Sequence, residues 1–501
     1  MSQRPGGAPP IGSALLRVAI AISVIYVALG LGASYWQVVE AQRLTNDPAN
    51  PLSLAAARSA PRGRILDARG KVLARNERQD GGESIREYTY PVMAPIVGYK
   101  SLIFGTSGLE RTYDAELAGI RQLSPGDEML RKFRARPYDP QDLKLSVDVR
   151  FQARAMQALG GNRGAIVAIE PATGRILALA STPTFDANRL VDPARGRAYL
   201  DSLGAQPADR SPLLNRATQG RFIPGSVFKI VTAIAGVGSD AVDADTSYPE
   251  QPGEEGRGFL VKGFRVRDGH HRMTGNEPVD FLQATEVSCN VWYARTGLRI
   301  GGPVLLDWAA RLGFGQRIPF DLPTEPSIVT LGTGPNGGFA DEVELANASY
   351  GQGETFTTPL QMALVAATVA NGGVMMRPKL VDEMHGSGGG VTPVPAAEIR
   401  RVLDPGGADL VRRAMTQAVE GEWGRQFAGG AKIPGVTTAG KSGTAEVDDT
   451  NRPHSWFIGF APAEAPRIAI AVLVQQGGFA SERAVPIGGD LMQAYLDLPA
   501  E

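Results

Sequence analysis

One stretch of the chain is apolar without interruption. Residues 18–39, VAIAISVIYVALGLGASYWQVV, carry no charge, and none occurs between Arg17 and Glu40. As a helix this run spans roughly 33 Å at ~1.5 Å per residue, enough to cross a bilayer. Arg4 and Arg17 precede it without an acid, which places the N-terminus in the cytoplasm. Tyr35 and Trp36 suit the outer interface. A cleavable signal peptide is the alternative, with Gly32-Ala33-Ser34 as a tolerable cleavage site. Signal cores are shorter, however, at ~7–15 residues. The expected division is a cytoplasmic tail over 1–17, a single-pass anchor over 18–39 and an extracytoplasmic remainder.

Beyond the anchor, residues 39–60 are polar and Pro/Ala-rich and read as a stalk. Short β-like runs at 63–67 and 71–74 flank the turn Ala68-Arg69-Gly70. With the mixed segment that follows, these make a stalk and pedestal region over 40–145. From residue 146 to 498 the pattern is that of one larger domain. DLKLSVDVRFQARAMQAL (142–159) predicts a strand and then a helix. GAIVAIEPATGRILALAS (164–181) predicts a hairpin around Pro171-Ala172-Thr173-Gly174. VFKIVTAIAGVG (227–238) predicts a buried helix. GVTTAGKSGTAEV (435–447), HSWFIGFAPA (454–463) and RIAIAVLVQQ (467–476) predict three sequential strands. A hairpin early and three strands late imply one antiparallel sheet completed by both ends of the domain, an α+β fold flanked by helices. GSGGGVTPVPA (386–396) reads as a flexible surface loop.

Composition narrows the function. Lys plus Arg is 51 against 52 Asp plus Glu, so no basic excess argues for nucleic acid. The single cysteine, Cys289, rules out a disulfide framework within the chain. His270-His271 after Asp268 point in different directions, and with four histidines in all no metal site is expected.

The sharpest chemistry lies in PGSVFKIVTA (224–233). Ser226 and Lys229 stand at i and i+3, on one face of a helix that opens at Pro224-Gly225. A helix N-terminus favours developing negative charge. Serine is a poor nucleophile until a base takes its proton, and lysine is a base only when neutral. Burial beside Phe228 and Ile230, and a nearby cation, would both lower its pKa. A Ser-x-x-Lys pair arises by chance roughly once or twice in a chain this long. Two further motifs, each occurring once, change that: Ser288-Cys289-Asn290 and Lys441-Ser442-Gly443. Read alone, Ser288 could cap a helix, Asn290 could be a structural amide and Lys441 an exposed strand lysine. Together, in this order, they form the S-x-x-K, S-x-N, K-[ST]-G signature of penicillin-recognising serine enzymes.

The sequence therefore resembles the class B penicillin-binding proteins, of the compact actinobacterial elongation or division type. PRGRILDARGKVLA (61–74), SGLERTYDAELAG (107–119), NRATQGRFIPGSVFK (215–229), LANASYGQGETFTTPLQMALVAATVANGG (345–373), GKSGTAEV (440–447) and SWFIGFAP (455–462) are all similar to family patterns. The resemblance implies the penicillin-binding transpeptidase fold and a serine D,D-transpeptidase that cross-links peptidoglycan and is inhibited by β-lactams. It implies Ser226 as nucleophile, Lys229 as base, Ser288 as proton relay, and Asn290 and Lys441 as supports. Ser442 and Thr444, with Lys441, would bind the terminal carboxylate, and Gly443 would let substrate lie against the strand. The backbone N–H groups of Ser226 and Thr444 would form an oxyanion hole. No cofactor is implied. Implied partners are peptidoglycan stem peptides, β-lactams, the bacterial plasma membrane and a SEDS-type glycan polymerase contacting the anchor and segment 61–120. A D,D-carboxypeptidase or β-lactamase using the same serine is the competing reading, and a non-catalytic scaffold or sensor is a second.

Smaller expectations follow. Cys289 is a packed side chain, Trp456-Phe457 fill the core, Gly351-Gln352-Gly353 support the cleft, and Glu286 is a surface charge.

Overall fold

The computed structural model describes residues 11–36, 40, 61–78, 84–119, 139–268, 277–386, 388–447 and 451–498. The late strands Ala439–Ala445, His454–Ala461 and Ile468–Val474 run antiparallel to one another, and the hairpin Gly164–Ile169 and Ile176–Thr182 completes the sheet beside the last of them. Every residue of His454–Ala461, Ile468–Val474 and Gly164–Ile169 is buried. The alternation of side chains explains why these strands read as unbroken apolar runs. Val167, Trp456, Ile458, Phe460 and Leu473 face one core, shared with helices Lys229–Gly238 and Pro359–Ala370. Ile166, Phe457, Ile468, Ile470 and Val472 face another, shared with helices Val149–Ala158 and Ala484–Leu496. Both faces are covered, so neither needs polar residues.

The pedestal is less separate than the boundary at residue 146 suggests. Strand Gln141–Leu145 pairs in parallel with Ile65–Leu66, which pairs with Val72–Arg78. On its other side it pairs antiparallel with Val381–Gly386, a strand supplied by the large domain, with Met384 opposite Leu143. The segment expected to be a flexible loop after Gly386 is in part a strand: Val391–Pro393 pairs back onto Val381–Gly386. Its own glycines and prolines hide that signal, and the pairing comes from the partner strand. Asp321 makes a second tie. Its carboxylate accepts from the Tyr113 hydroxyl at 2.9 Å and the Leu380 N–H at 2.6 Å, while its carbonyl accepts from Thr112 Oγ1 at 2.7 Å. Within the pedestal, buried Glu110 is held by Arg62 at 2.8 Å and Arg86 at 2.6 Å.

The apolar N-terminal run forms the helix Ile11–Ser34, of 24 residues. It begins directly after Pro9-Pro10 and takes in Arg17, earlier than the apolar run alone indicates. Among the described residues it is the one helix long and apolar enough to cross a membrane. Residues 37–39 of the expected anchor lie outside the described residues, as do His270 and His271.

Candidate active site

The site grows from an interlock between a turn and a strand. After Pro224, Gly225 takes φ +58° and opens a 3-10 turn, Gly225–Phe228, that runs into helix Lys229–Gly238. Ser226 sits half-buried on that turn, with Val227, Phe228 and Lys229 buried around it. A Cβ on Gly225 would fall 3.0 Å from the Ala445 Cα, and one on Gly443 would fall 2.9 Å from the Pro224 carbonyl and 3.0 Å from the Val227 N. The lack of a side chain at Gly443 lets the turn carrying Ser226 pack directly against this strand. Gly351 closes the other side. Its carbonyl accepts from the Gly225 N–H at 2.9 Å, and a Cβ there would reach within 2.0 Å of the Gly225 carbonyl.

Lys229 is fully buried. Its Nζ donates to the Ser288 carbonyl, to Ser288 Oγ at 3.2 Å and to Asn290 Oδ1 at 2.7 Å. Burial pulls its pKa down to about 8, against an opposing pull from the Asp268 carboxylate. Lys441, 1 % exposed, donates to the same Ser288 Oγ at 2.8 Å and to the Ser442 carbonyl at 3.1 Å. Burial first, then the charge of Lys229, holds it well below the ordinary lysine range. Two buried ammonium groups on one hydroxyl cannot both stay charged cheaply. The pair therefore carries a neutral amine at a pH where exposed lysines are protonated.

Ser288 reaches this position through an unusual turn. It has φ +59°. The Cys289 N–H donates to the Ala284 carbonyl at 2.9 Å and the Ser288 N–H to the Thr285 carbonyl at 3.3 Å. That is a Schellman ending for helix Phe281–Glu286, with serine where glycine is the usual choice. The next helix, Asn290–Ile300, starts at once, capped by Cys289, whose buried sulfur accepts from the Trp292 N–H at 3.3 Å. The order helix, left-handed residue, helix turns Ser288 Oγ and Asn290 Oδ1 towards Lys229.

The predicted residues thus converge. Lys229, Ser288, Asn290 and Lys441 share one hydrogen-bond network, and Ser442, Gly443 and Thr444 continue the strand packed on the Ser226 turn. Thr444 Oγ1 accepts from the Ala480 N–H at 3.2 Å, which leaves its own proton to donate. Several supporting groups escaped the sequence reading. The Arg267 carbonyl accepts from Asn290 Nδ2 at 3.0 Å, and Asp268 accepts from the Val291 N–H at 3.1 Å. The Tyr293 ring lies 5.5 Å from Lys229 Nζ. Only Tyr293, three residues past Asn290, carried a readable signal. Glu286 is a correction: expected at the surface, it is 1 % exposed. Among the described residues no cluster of three or more His, Cys, Asp or Glu is placed to hold a metal.

A half-buried serine one turn before a buried lysine, whose amine shares the Ser288 hydroxyl with a second buried lysine, is on this sheet the arrangement of the penicillin-recognising serine enzymes. Residues 164–493 match the penicillin-binding protein transpeptidase domain, and residues 62–136 match the penicillin-binding protein A dimerisation domain. The chain belongs to the penicillin-binding protein transpeptidase family, as a class B member. It is 33% identical over 507 aligned residues to the peptidoglycan D,D-transpeptidase PbpA of Mycobacterium tuberculosis, covering 97% of this chain and 99% of that one. It is 35% identical over 497 residues to PbpA of Mycolicibacterium smegmatis, covering 96% of each. The imipenem acyl-enzyme structure of M. tuberculosis penicillin-binding protein A superposes with a TM-score of 0.77 at 32% identity, over 88% of this chain and 100% of that one.

Proposed function

We propose that the protein is a peptidoglycan D,D-transpeptidase that works through an acyl-enzyme on Ser226 and is blocked by β-lactams. The carrying observation is the Ser288 hydroxyl held between Lys229 and Lys441. Lys229, neutral, takes the Ser226 proton as its oxygen bonds to the carbonyl carbon of the penultimate D-alanine. The peptide C–N bond then breaks. Ser288 relays that proton from Lys229 to the departing D-alanine amine, and Lys441 stabilises the charge. The N–H groups of Ser226 and Thr444 stabilise the oxyanion. Ser442 and Thr444 hydroxyls, with Lys441, bind the terminal carboxylate. An amine of a neighbouring stem peptide then attacks the acyl carbon, the ester C–O bond to Ser226 breaks, and the amine's proton returns through Ser288 and Lys229 to the Ser226 oxygen. Asn290 fixes the Lys229 amine through Oδ1, its amide being anchored on the Arg267 carbonyl.

In this reading residues 1–17 are a cytoplasmic tail, 18–39 the single-pass anchor, 40–145 the stalk and pedestal, and 146–498 the transpeptidase domain outside the plasma membrane. The charge-free run behind Arg17 supports that orientation. The anchor and segment 61–120 are the contact surfaces for a SEDS-type membrane glycan polymerase. The test is product analysis on nascent, uncross-linked glycan. Cross-linked dimers with release of D-alanine are expected. Release of D-alanine without dimers would identify a carboxypeptidase, and rapid turnover of penicillin a β-lactamase.

A further inference from the structure

Glu286 sits at the last turn of helix Phe281–Glu286, two residues before Ser288. An acid there opposes the helix dipole, and a serine in the left-handed region at Ser288 costs backbone strain. Both local choices are poor, which is the mark of a site maintained by tertiary contacts. The contacts are specific. Glu286 Oε1 accepts from the Trp423 N–H at 2.7 Å and the Gly424 N–H at 3.1 Å, and Oε2 accepts from Gln417 Nε2 at 2.8 Å. The socket has no spare room: a Cβ on Gly421 would lie 2.2 Å from Oε1. The donors belong to helix Pro405–Glu420 and the turn after it. That helix also bonds to the segment leading into the Lys441 strand, through Glu420 and the Thr438 N–H at 3.1 Å.

We propose that Glu286 is a positioning residue for the reaction. Its carboxylate locks the turn carrying Ser288 to the scaffold carrying Lys441, and so sets the hydroxyl between the two lysines. The inference rests on the reaction proposed above. Glu286 touches no reacting atom; it acts through the turn.

The test compares Glu286→Ala and Glu286→Gln with the parent in the full-length protein, reading the second-order rate of acylation by a fluorescent penicillin from pH 6 to 10. Glutamine keeps an oxygen for the two backbone donors, and its amide can pair with a turned Gln417. It should stay within about threefold of the parent. Alanine should slow acylation at least twentyfold and move the rise of the rate to higher pH, because a loosened turn admits water and undoes part of the burial that lowers Lys229. A purely structural glutamate would lower the melting temperature and leave rate and pH profile of the folded protein in place, which would overturn the proposal. So would equal impairment of both variants. Should Glu286→Ala not fold, Gly421→Ala, which drives a methyl into the carboxylate, takes its place with the same two outcomes. Failure of the parent to be acylated would instead sink the proposed function.

Discussion

Ser288 is asked to do two things that compete, and substituting it separates them. At φ +59° an L-residue carries roughly 1–2 kcal/mol of strain that glycine does not. Glycine returns about 0.5–1 kcal/mol through the entropy of the unfolded chain. Ser288→Gly should therefore be more stable than Ser288→Ala by about 0.5–1 kcal/mol, the strain less that entropy. Both lose the oxygen that accepts from Lys441 at 2.8 Å and Lys229 at 3.2 Å. A hydrogen bond to a charged group is worth about 1.5–3 kcal/mol, so both fall below the parent. Melting of the full-length protein in detergent should give the order parent, Ser288→Gly, Ser288→Ala, with the last two on the order of 1–2 °C apart. Acylation by penicillin should drop by roughly 10²–10⁴ in both, since the proton path is lost whatever the backbone does. An alanine variant as stable as the glycine one, or either variant acylating within tenfold of the parent, would refute the reasoning.

Four further outcomes are expected. The acylation rate should climb with pH through about 8, as Lys229 loses its proton; a rate flat from pH 7 to 9 would show another base. Because the folded protein binds that proton more weakly than the unfolded chain, stability should rise between about pH 8 and the ordinary lysine value of 10.5, and Lys229→Met should flatten the rise. Burial, helped by Arg163, pulls His454 down to about 4. Its Nδ1 accepts from the Gln476 N–H at 3.1 Å. Stability should accordingly fall as pH drops from 6.5 towards 4, and His454→Gln should blunt that fall in acid melts. Gly443→Ala forces a methyl to 2.9 Å from the Pro224 carbonyl. Overpacking of this kind costs about 1–3 kcal/mol and displaces the Ser226 turn, so acylation should fall about tenfold or more; a variant that folds and acylates like the parent would contradict the interlock.

The grouping of the candidate site was legible because each part of it is short and chemically odd where it stands. A lysine in an apolar helix, a Ser-x-Asn and a Lys-Ser-Gly each carry their signal within four residues. The buried strands were legible for a related reason: a strand covered on both faces has no polar alternation to confuse its length. What stayed hidden depends on partners far along the chain. Glu286 looks like any exposed helix acid until the turn at 421–424 supplies its donors. Strand Val391–Pro393 is made by its pairing with Val381–Gly386, not by its own propensity. The packing of Gly443 against the Ser226 turn stayed hidden because that turn lies more than two hundred residues earlier.

Mass spectrometry of the penicillin-treated protein bears most directly on the central claim, that the grouped serines and lysines activate a single hydroxyl. Peptide mapping should find one stoichiometric adduct, on Ser226 and absent from Ser226→Ala. An adduct on any other residue, or a folded protein that penicillin leaves unmodified, would contradict the account.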